Sequence, residues 1–536
     1  MKKTWPAALI SLFSFILVGC EAPSTDSGTT GTITSDSNQQ STDGQDSVFS
    51  DTNQTDTSDT NPSIEESHQE GKQKEITIFS FNDVHGSLVE SPYHGELGLA
   101  KLDYAIRHDV DYDPETSIII NCGDAWQGGY LAHEDKRLTN VLLEQMKIDA
   151  FVLGNHEFDW GIENIEIQKQ AAKFPFLGIN IFNDKGQYAT NLADPSVIVE
   201  KGGIKVGIIG AMGPGEESSI AASQLAGYSF SDDIKLITNE AKKLKQQGCD
   251  LVILGCHDSA EGFLYNVAYS TSIDEIQAMF GAHTHQFEAQ LLPNSIPYVQ
   301  GGSNSRGYCK IKIDVETKKT ISYRYESCYG KYHNTPEENL NQDMIHTIDE
   351  AKSKFDGTTE LCKLDGEFNR YEELNRFVPM ALHDVAVDNG WKGENKIIGL
   401  HNLSGIRSDL PSGSLTKELL FKTSPFDNKV KVIKNVPGIK LANLIGTVND
   451  NHSTKFYAYY IENDISFSSR QTYDVVTIDF VSEGTYWERY GLNQYEQFEL
   501  DKNQGSTIYM FDCLVKFIDL YKQANNTDTF HAADFR

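Results

Sequence analysis

Positive charge is what this 536-residue chain most lacks: 46 lysines and arginines stand against 77 aspartates and glutamates, a formal net charge of −31 at pH 7. That balance excludes nucleic acid and anionic bilayers as partners for the body of the chain, because both would be repelled. An anionic small molecule would need locally concentrated positive charge. Cysteine is scarce as well, at 8 residues. With Cys20 set aside, those at 122, 249, 256, 309, 328, 362 and 513 are odd in number and lack framework-like spacing, which argues against a disulfide scaffold. Cys309 and Cys328 flank a hairpin-like segment and suggest a pairing in an oxidising location, whereas Cys122 and Cys256 read as small buried hydrophobes. No internal repeat is evident.

The first residues have the form of a secretion signal. Lys2 and Lys3 precede an apolar run over 7–18, too short for a comfortable membrane span, and small residues precede Cys20. Leu17-Val18-Gly19-Cys20 resembles a bacterial lipobox, so residues 1–19 are expected to be a lipoprotein signal peptide and Cys20 the lipidated residue. A multiply acylated cysteine would anchor the chain stably to a bacterial membrane, outside the cytoplasm. Residues 20–74 are rich in Ser, Thr, Asp, Gln and Gly and nearly devoid of aliphatic side chains. Such a segment cannot bury enough to offset its chain entropy and reads as a disordered acidic tether.

From residue 75 the texture changes. Short aliphatic runs such as 76–81, 204–209 and 251–254 alternate with helical patterns at 138–147, 162–173 and 232–247, as expected of an α/β domain whose strands are covered on both faces. Residues 75–332 form this domain, and residues 333–358 read as a connector. Within it, an exposed helix over 335–355 would carry Met344, Ile345, Ile348 and Ala351 on one stripe. Residues 359–536 mix a helical stretch at 374–387 with β-rich stretches at 429–434 and 473–481, which suggests a second, α+β domain.

The chemistry sits where apolar runs end. Asn82-Asp83-Val84-His85-Gly86, Cys122-Gly123-Asp124, Gly154-Asn155-His156-Glu157-Phe158-Asp159-Trp160-Gly161, Gly255-Cys256-His257-Asp258 and Gly281-Ala282-His283-Thr284-His285 all deliver Asp, His or Asn after such a run. Singly, each has an ordinary explanation as a turn or a hydrogen-bonded core residue. Together they offer oxygen and imidazole donors without thiolate, a set suited to Zn, Mn, Fe or Ca rather than to a structural zinc knot.

These motifs resemble the calcineurin-type metallophosphatases, and the Gly154 to Gly161 string with the two-domain layout is similar to the 5'-nucleotidase family. The resemblance implies an N-terminal α/β/β/α metallophosphatase sandwich followed by a C-terminal α+β substrate-binding domain. It implies two divalent ions (Zn, Mn, Co or similar), one held by Asp83, His85 and His285, the other by Asn155, His257 and His283, with Asp124 between them. Two such ions about 4 Å apart lower the pKa of a shared water enough to give hydroxide near neutrality. His156 would then face the phosphoryl oxygen or leaving group, oriented by Asp159.

In the second domain, Asn402-x-Ser404-Gly405-Ile406-Arg407 resembles the family's Asn-x-Gly-Gly-Ile-Arg and makes Arg407 a candidate phosphate ligand. Arg370 is a weaker match to a further arginine. Pro425-Phe426-Asp427-Asn428 is similar to the family's Pro-Phe-x-Asn, with Phe426 and Phe480 expected to sandwich a base and Asn428 to line its site. A departure follows Phe480: Glu483-Gly484-Thr485-Tyr486-Trp487 stands where the family has Gly-Gly-Asp-Gly-Tyr, so its nucleoside-holding aspartate falls on Tyr486. The implied activity is hydrolysis of a nucleoside 5'-monophosphate. The alternatives are a 2',3'-cyclic nucleotide or a UDP-sugar as substrate, and a surface lipoprotein that binds without catalysis.

Overall fold

The structure is a computed structural model that describes residues 74–225, 227–393, 395–449, 456–462, 467–501 and 507–536. The expected signal peptide, the lipidated Cys20 and the tether up to residue 73 lie outside the described residues. No helix among the described residues is long and apolar enough to cross a membrane.

Two six-stranded sheets build the N-terminal domain. The first runs, edge to edge, Lys319–Ser327, Gly307–Asp314, Glu75–Phe81, Ser117–Asn121, Ala150–Val152 and Phe176–Leu177. The second runs Phe287–Leu291, Pro297–Gly301, Ala278–Phe280, Leu251–His257, Ile204–Met212 and Ser196–Lys201. Their inner faces meet through Ile78, Ile120 and Val152 on one side and Ile208, Ile253 and Phe280 on the other. The outward residues between them, Phe79, Ile119 and Phe151, pack under the helices Leu99–Arg107 and Leu138–Gln145. On the second sheet, Ile209, Val252 and Leu254 lie under Lys235–Gln246 and Phe263–Ser270. Both alternating sets are buried, which is why these strands read as unbroken aliphatic runs. The result is the α/β/β/α sandwich.

In each sheet the central strands are parallel. Glu75–Phe81, Ser117–Asn121 and Ala150–Val152 point one way in the first, and Ile204–Met212, Leu251–His257 and Ala278–Phe280 run together in the second. All five chemical motifs therefore leave the carboxyl ends of parallel strands, where α/β folds open their ligand crevices.

The connector differs from expectation in extent and exposure. Its helix spans Gln342–Lys354, capped by the Asn341 side chain on the N–H groups of Asp343 and Met344. Met344, Ile348 and Ala351 are buried in the outer core of the first sheet, and Gln145 Nε2 donates to Thr347 Oγ1 at 2.8 Å. The apolar stripe thus packs on the N-terminal domain instead of standing free. Cys309 and Cys328 are both buried and unpaired.

The remainder packs around a separate core, with a five-stranded sheet ordered Tyr457–Tyr460, Lys396–Asn402, Thr472–Ile478, Val430–Pro437 and Gln497–Glu499. Leu374–Asp388 and Met510–Asn525 bury Phe377, Leu382, Leu514 and Phe517 in that core. The strand expected over 473–481 stops at Ile478, and Phe480 sits on the following helical turn Asp479–Ser482.

Polar contacts fasten this part to the sandwich. Lys422 Nζ lies 2.6 Å from Glu96 Oε2, Gln127 Nε2 donates to Pro425 O, and His133 Nε2 lies 2.7 Å from Asp427 Oδ1. Burial alone would push the His133 imidazole down, but the hydrogen bond and charge of Asp427 outweigh it and raise its pKa. A raised folded pKa gives stability that is full below the unfolded value of about 6.5 and is lost as pH rises through the folded one. Asp427→Asn should therefore destabilise the protein by up to about 1 kcal/mol at pH 6 and by less at pH 9, as read from unfolding midpoints at the two pH values.

Candidate metal centre

Backbone conformation shows how the strand ends present their side chains. Asp83, His85, Asp124, His283 and His285 have φ of 49°, 48°, 53°, 71° and 61°. Asp and His tolerate this left-handed region better than most residues, yet each instance costs roughly 1–3 kcal/mol and persists only where surroundings enforce it. Close packing enforces it here. A Cβ at Gly123, itself at φ 91°, would come 2.7 Å from both Gly154 N and His257 Nδ1. Only a bare backbone lets these two loops and the His257 ring meet.

Three groups of donor atoms result, each gathered within 4.8 Å: Asp83, His85 and His285; Asp124, His257 and His283; and, linking these two, His85, Asp124 and His156. His85 Nε2 and His285 Nε2 are 2.9 Å apart, and Asp83 Oδ1 lies 3.9 and 3.6 Å from them. In the second group His257 Nε2 lies 3.1 Å from Asp124 Oδ2 and 3.1 Å from Asn155 Oδ1, which is also 3.1 Å from His283 Nδ1. Asp124 Oδ2 is 4.0 Å from His85 Nε2, so Asp124 stands between the groups. All seven expected metal residues converge.

The ring tautomers decide what this convergence can do. His85 Nδ1 faces the Gln127 carbonyl at 3.2 Å and His257 Nδ1 the Cys122 carbonyl at 2.8 Å. A carbonyl only accepts, so each Nδ1 carries a proton and each Nε2 is the nitrogen left to bind a cation in front of the carboxylate and amide oxygens. Imidazole nitrogens set against carboxylate and amide oxygens fit a divalent cation, which would displace any proton held on Nε2. The donor set is of the required kind.

Charge follows the same geometry. Burial, reinforced by His285, holds the His85 imidazole well below its ordinary range, and burial with the Arg407 charge does the same for His285. Burial lifts Asp83 to about 6. For His257 burial acts downward, but Asp124 outweighs it and carries the ring up to about 10. Burial likewise acts upward on Asp124, and His257 and His156 override it to keep that carboxylate ionised.

Beside the second group, His156 donates its backbone N–H to Asp124 Oδ1 at 2.8 Å, and its Nδ1 lies 2.6 Å from Asp159 Oδ2 across the 3-10 turn Asn155–Trp160. Glu157, named in the sequence without a role, is fully buried and binds the loops together. Its carboxylate accepts the N–H groups of Gly154, Asp124 and Ala125, each at 2.8 Å.

These groups open into a cavity of about 400 Å³ whose far wall is supplied by residues 402–480. Arg407, Phe426, Asn428 and Phe480 all line it. Arg407 leaves the carboxyl end of Lys396–Asn402, and its backbone N–H donates to Thr423 O at 2.9 Å. The guanidinium lies 5.9 Å over the Phe426 ring and makes no ion pair among the described residues. The Phe426 ring centre is 5.8 Å from that of His156. Arg370 does not line the cavity; its guanidinium lies over Tyr371 at 4.6 Å, and its charge adds to the burial that lowers the Arg407 pKa. Tyr486, on the helix Thr485–Arg489, is 42% exposed and outside the wall. The acid that lines the cavity there is Asp479, which accepts Asn428 Nδ2 at 3.0 Å. Ser218, Ser219 and Gln224 complete the wall from the sandwich side, and nothing in their local sequence sets them apart from surface loop residues.

The calcineurin-like phosphoesterase family model matches residues 76–287, the segment that carries all seven converging side chains. Those residues form a calcineurin-like phosphoesterase domain. The domain makes the chain a metal-dependent phosphoester hydrolase. It is similar to the apyrase of Tabanus yao, 24% identical over 409 residues that make up 66% of this chain and 70% of that protein. It is also similar to the probable 5'-nucleotidase of Treponema pallidum (strain Nichols), 27% identical over 221 residues, 39% of this chain and 37% of the relative. Among solved structures, the 5'-nucleotidase precursor from Thermus thermophilus superposes with a TM-score of 0.68 at 16% identity. That match spans 85% of this chain and 97% of the Thermus chain, so the phosphoesterase shares its fold beyond the N-terminal domain.

Glu157 generates a direct test of this architecture. Glu157→Gln keeps the volume but, in either orientation, turns an amide NH2 toward backbone donors. It should cost about 1–3 kcal/mol, measured by denaturant unfolding.

Proposed function

We propose that the chain is an extracytoplasmic, lipid-anchored 5'-nucleotidase that hydrolyses nucleoside 5'-monophosphates to nucleoside and phosphate with two divalent ions. The observation that carries this reading is the cavity that joins the two donor groups to Arg407 and the rings of Phe426 and Phe480. Asp83, His85 and His285 would hold one ion; Asn155, His257 and His283 the other; Asp124 both. Such ions supply Lewis acidity at the phosphoryl oxygens and an activated water. The likeness to a probable 5'-nucleotidase and to an apyrase supports a nucleotide as substrate. Anchorage at Cys20 rests on the lipobox-like sequence alone.

The chain's own residues divide the work. His156, oriented through Nδ1 by Asp159, presents Nε2 to the cavity, where it stabilises charge developing on the phosphoryl group and hands a proton to the departing oxygen. Burial acts downward on that imidazole, but Asp159 and then Asp124 prevail and raise its pKa above the ordinary histidine value. Arg407 has an open guanidinium fork and grips the phosphate that remains between the ions and the far wall. Phe426 and Phe480 offer apolar faces to a base, while Asn428, fixed by Asp479, and Asn402 offer polar contacts at its edge.

The test is turnover of AMP, a 2',3'-cyclic nucleotide and UDP-glucose by purified protein supplied with Mn, Zn or Co, with and without a chelator. AMP should be preferred and the chelator should abolish release of phosphate; preference for either other substrate replaces the nucleotidase reading. His156→Ala should keep its metal yet lose about 10²–10⁴-fold in kcat. Arg407→Ala should lose about 1.5–3 kcal/mol in kcat/KM.

A further inference from the structure

One acid approaches the metal residues from a segment that has so far supplied only cavity wall. After the strand Ile204–Met212 the chain turns at Gly213, where a Cβ would come 2.8 Å from the Asp258 carboxyl carbon, and enters the short 3-10 turn Pro214–Ser219. That close approach sets the turn against the end of the neighbouring strand Leu251–His257 and aims Glu216 inward. Glu216 Oε2 lies 2.9 Å from His283 Nε2 and also accepts the Ser219 hydroxyl at 3.1 Å. The other ring nitrogen, Nδ1, is the one that faces Asn155 Oδ1 and the second donor group.

An imidazole that donates Nε2–H to a carboxylate keeps its lone pair on Nδ1. Carbonyl oxygens fix the His85 and His257 tautomers, so each of these rings would bind an ion through Nε2. His283 is reversed: its binding nitrogen is Nδ1, and its backbone, at φ 71°, donates N–H to Asp83. Its side chain is a quarter exposed, against 0% for His257, so the surrounding core alone does not fix its ring.

We propose that Glu216 is a positioning residue that fixes the tautomer and ring plane of His283 and so raises the metal affinity of the Asn155–His257–His283 set. Ser219, which lines the cavity, holds Glu216 in turn and ties the wall to that set. The inference rests on the two-ion reading above.

The test is metal affinity of the full chain, stripped and then titrated with zinc or manganese against a chromophoric competing chelator. Wild-type protein should take up two ions. Glu216→Ala should weaken one of them by about 10–100-fold, with the unfolding midpoint of the stripped protein unchanged. Glu216→Met, which keeps the stem and removes the acceptor, carries the same expectation should the alanine variant not fold. Glu216→Gln, whose amide oxygen still accepts Nε2–H, should recover much of the loss. Wild-type affinity in both the alanine and methionine variants would overturn the role of Glu216 and leave the two-ion reading standing. A wild-type chain that takes up fewer than two ions would overturn that reading itself.

Discussion

Imidazole nitrogens brought face to face with carboxylate and amide oxygens are the constraint on which this protein is built. The Gln127 and Cys122 carbonyls turn Nε2 of His85 and of His257 toward Asp83, Asp124 and Asn155, across 3–4 Å. Without a cation, protons must stand in for it, as on His257 beside Asp124. Divalent ions would displace those protons, so metal binding, proton release and the stability of this region are views of one equilibrium.

Holding those atoms in place falls to the packing of two sheets. Asp83, His85, Asp124 and Asn155 leave the first sheet; His257, His283 and His285 leave the second. Neither sheet alone supplies the groups built on Asp83 or on His257, since Asp83 and His85 need His285, and Asp124 needs His257 and His283. The distance between the halves is therefore set by the apolar layer of Ile78, Ile120, Ile253 and Phe280 rather than by the polar residues themselves. A rigid, close-packed layer suits that task, because it resists changes of even one methylene. The strain of five left-handed Asp and His residues is carried by the same layer and by Glu157, whose four accepted N–H groups lock the loops after two adjacent strands.

Much of this was legible in the sequence because the information is local. Each motif of the sandwich follows its own apolar run, so Asp83, Asp124, Asn155 and His257 could be placed at strand ends without knowing which strands are neighbours. The His156–Asp159 contact spans three residues within one turn, a spacing that reads directly. What escaped notice depends on partners far along the chain. Glu216 matters only because its turn reaches His283, and Gln127 because its side chain finds Pro425. Asp479 illustrates the second domain: a family pattern pointed past Phe480 toward Tyr486, whereas the acid lining the cavity is the residue before Phe480. The connector reads as an exposed helix with one apolar stripe, and the stripe alone shows that a face is covered without showing by what; Met344, Ile348 and Ala351 turn out to meet the outer core of the first sheet.

The deficit of positive charge, which dominates the composition, fits an enzyme for anionic substrates only if the relevant field is local. A net charge of −31 spread over the chain repels a phosphate ester at long range, but at physiological ionic strength that repulsion is screened within about 8 Å. Inside the cavity screening is weak, and the charges that count are Arg407 and whatever cations the donor groups hold. Arg407 stands there without a carboxylate partner among the described residues, although acids outnumber bases 77 to 46 in the chain. An unpaired guanidinium at a partly buried position is costly unless an anion completes it. The wall that carries it is fastened by Lys422–Glu96 and His133–Asp427, so the fold holds that cation over the donor groups before any substrate arrives. Preorganisation of this kind gives positive potential where charge develops in the reaction and leaves the rest of the surface acidic.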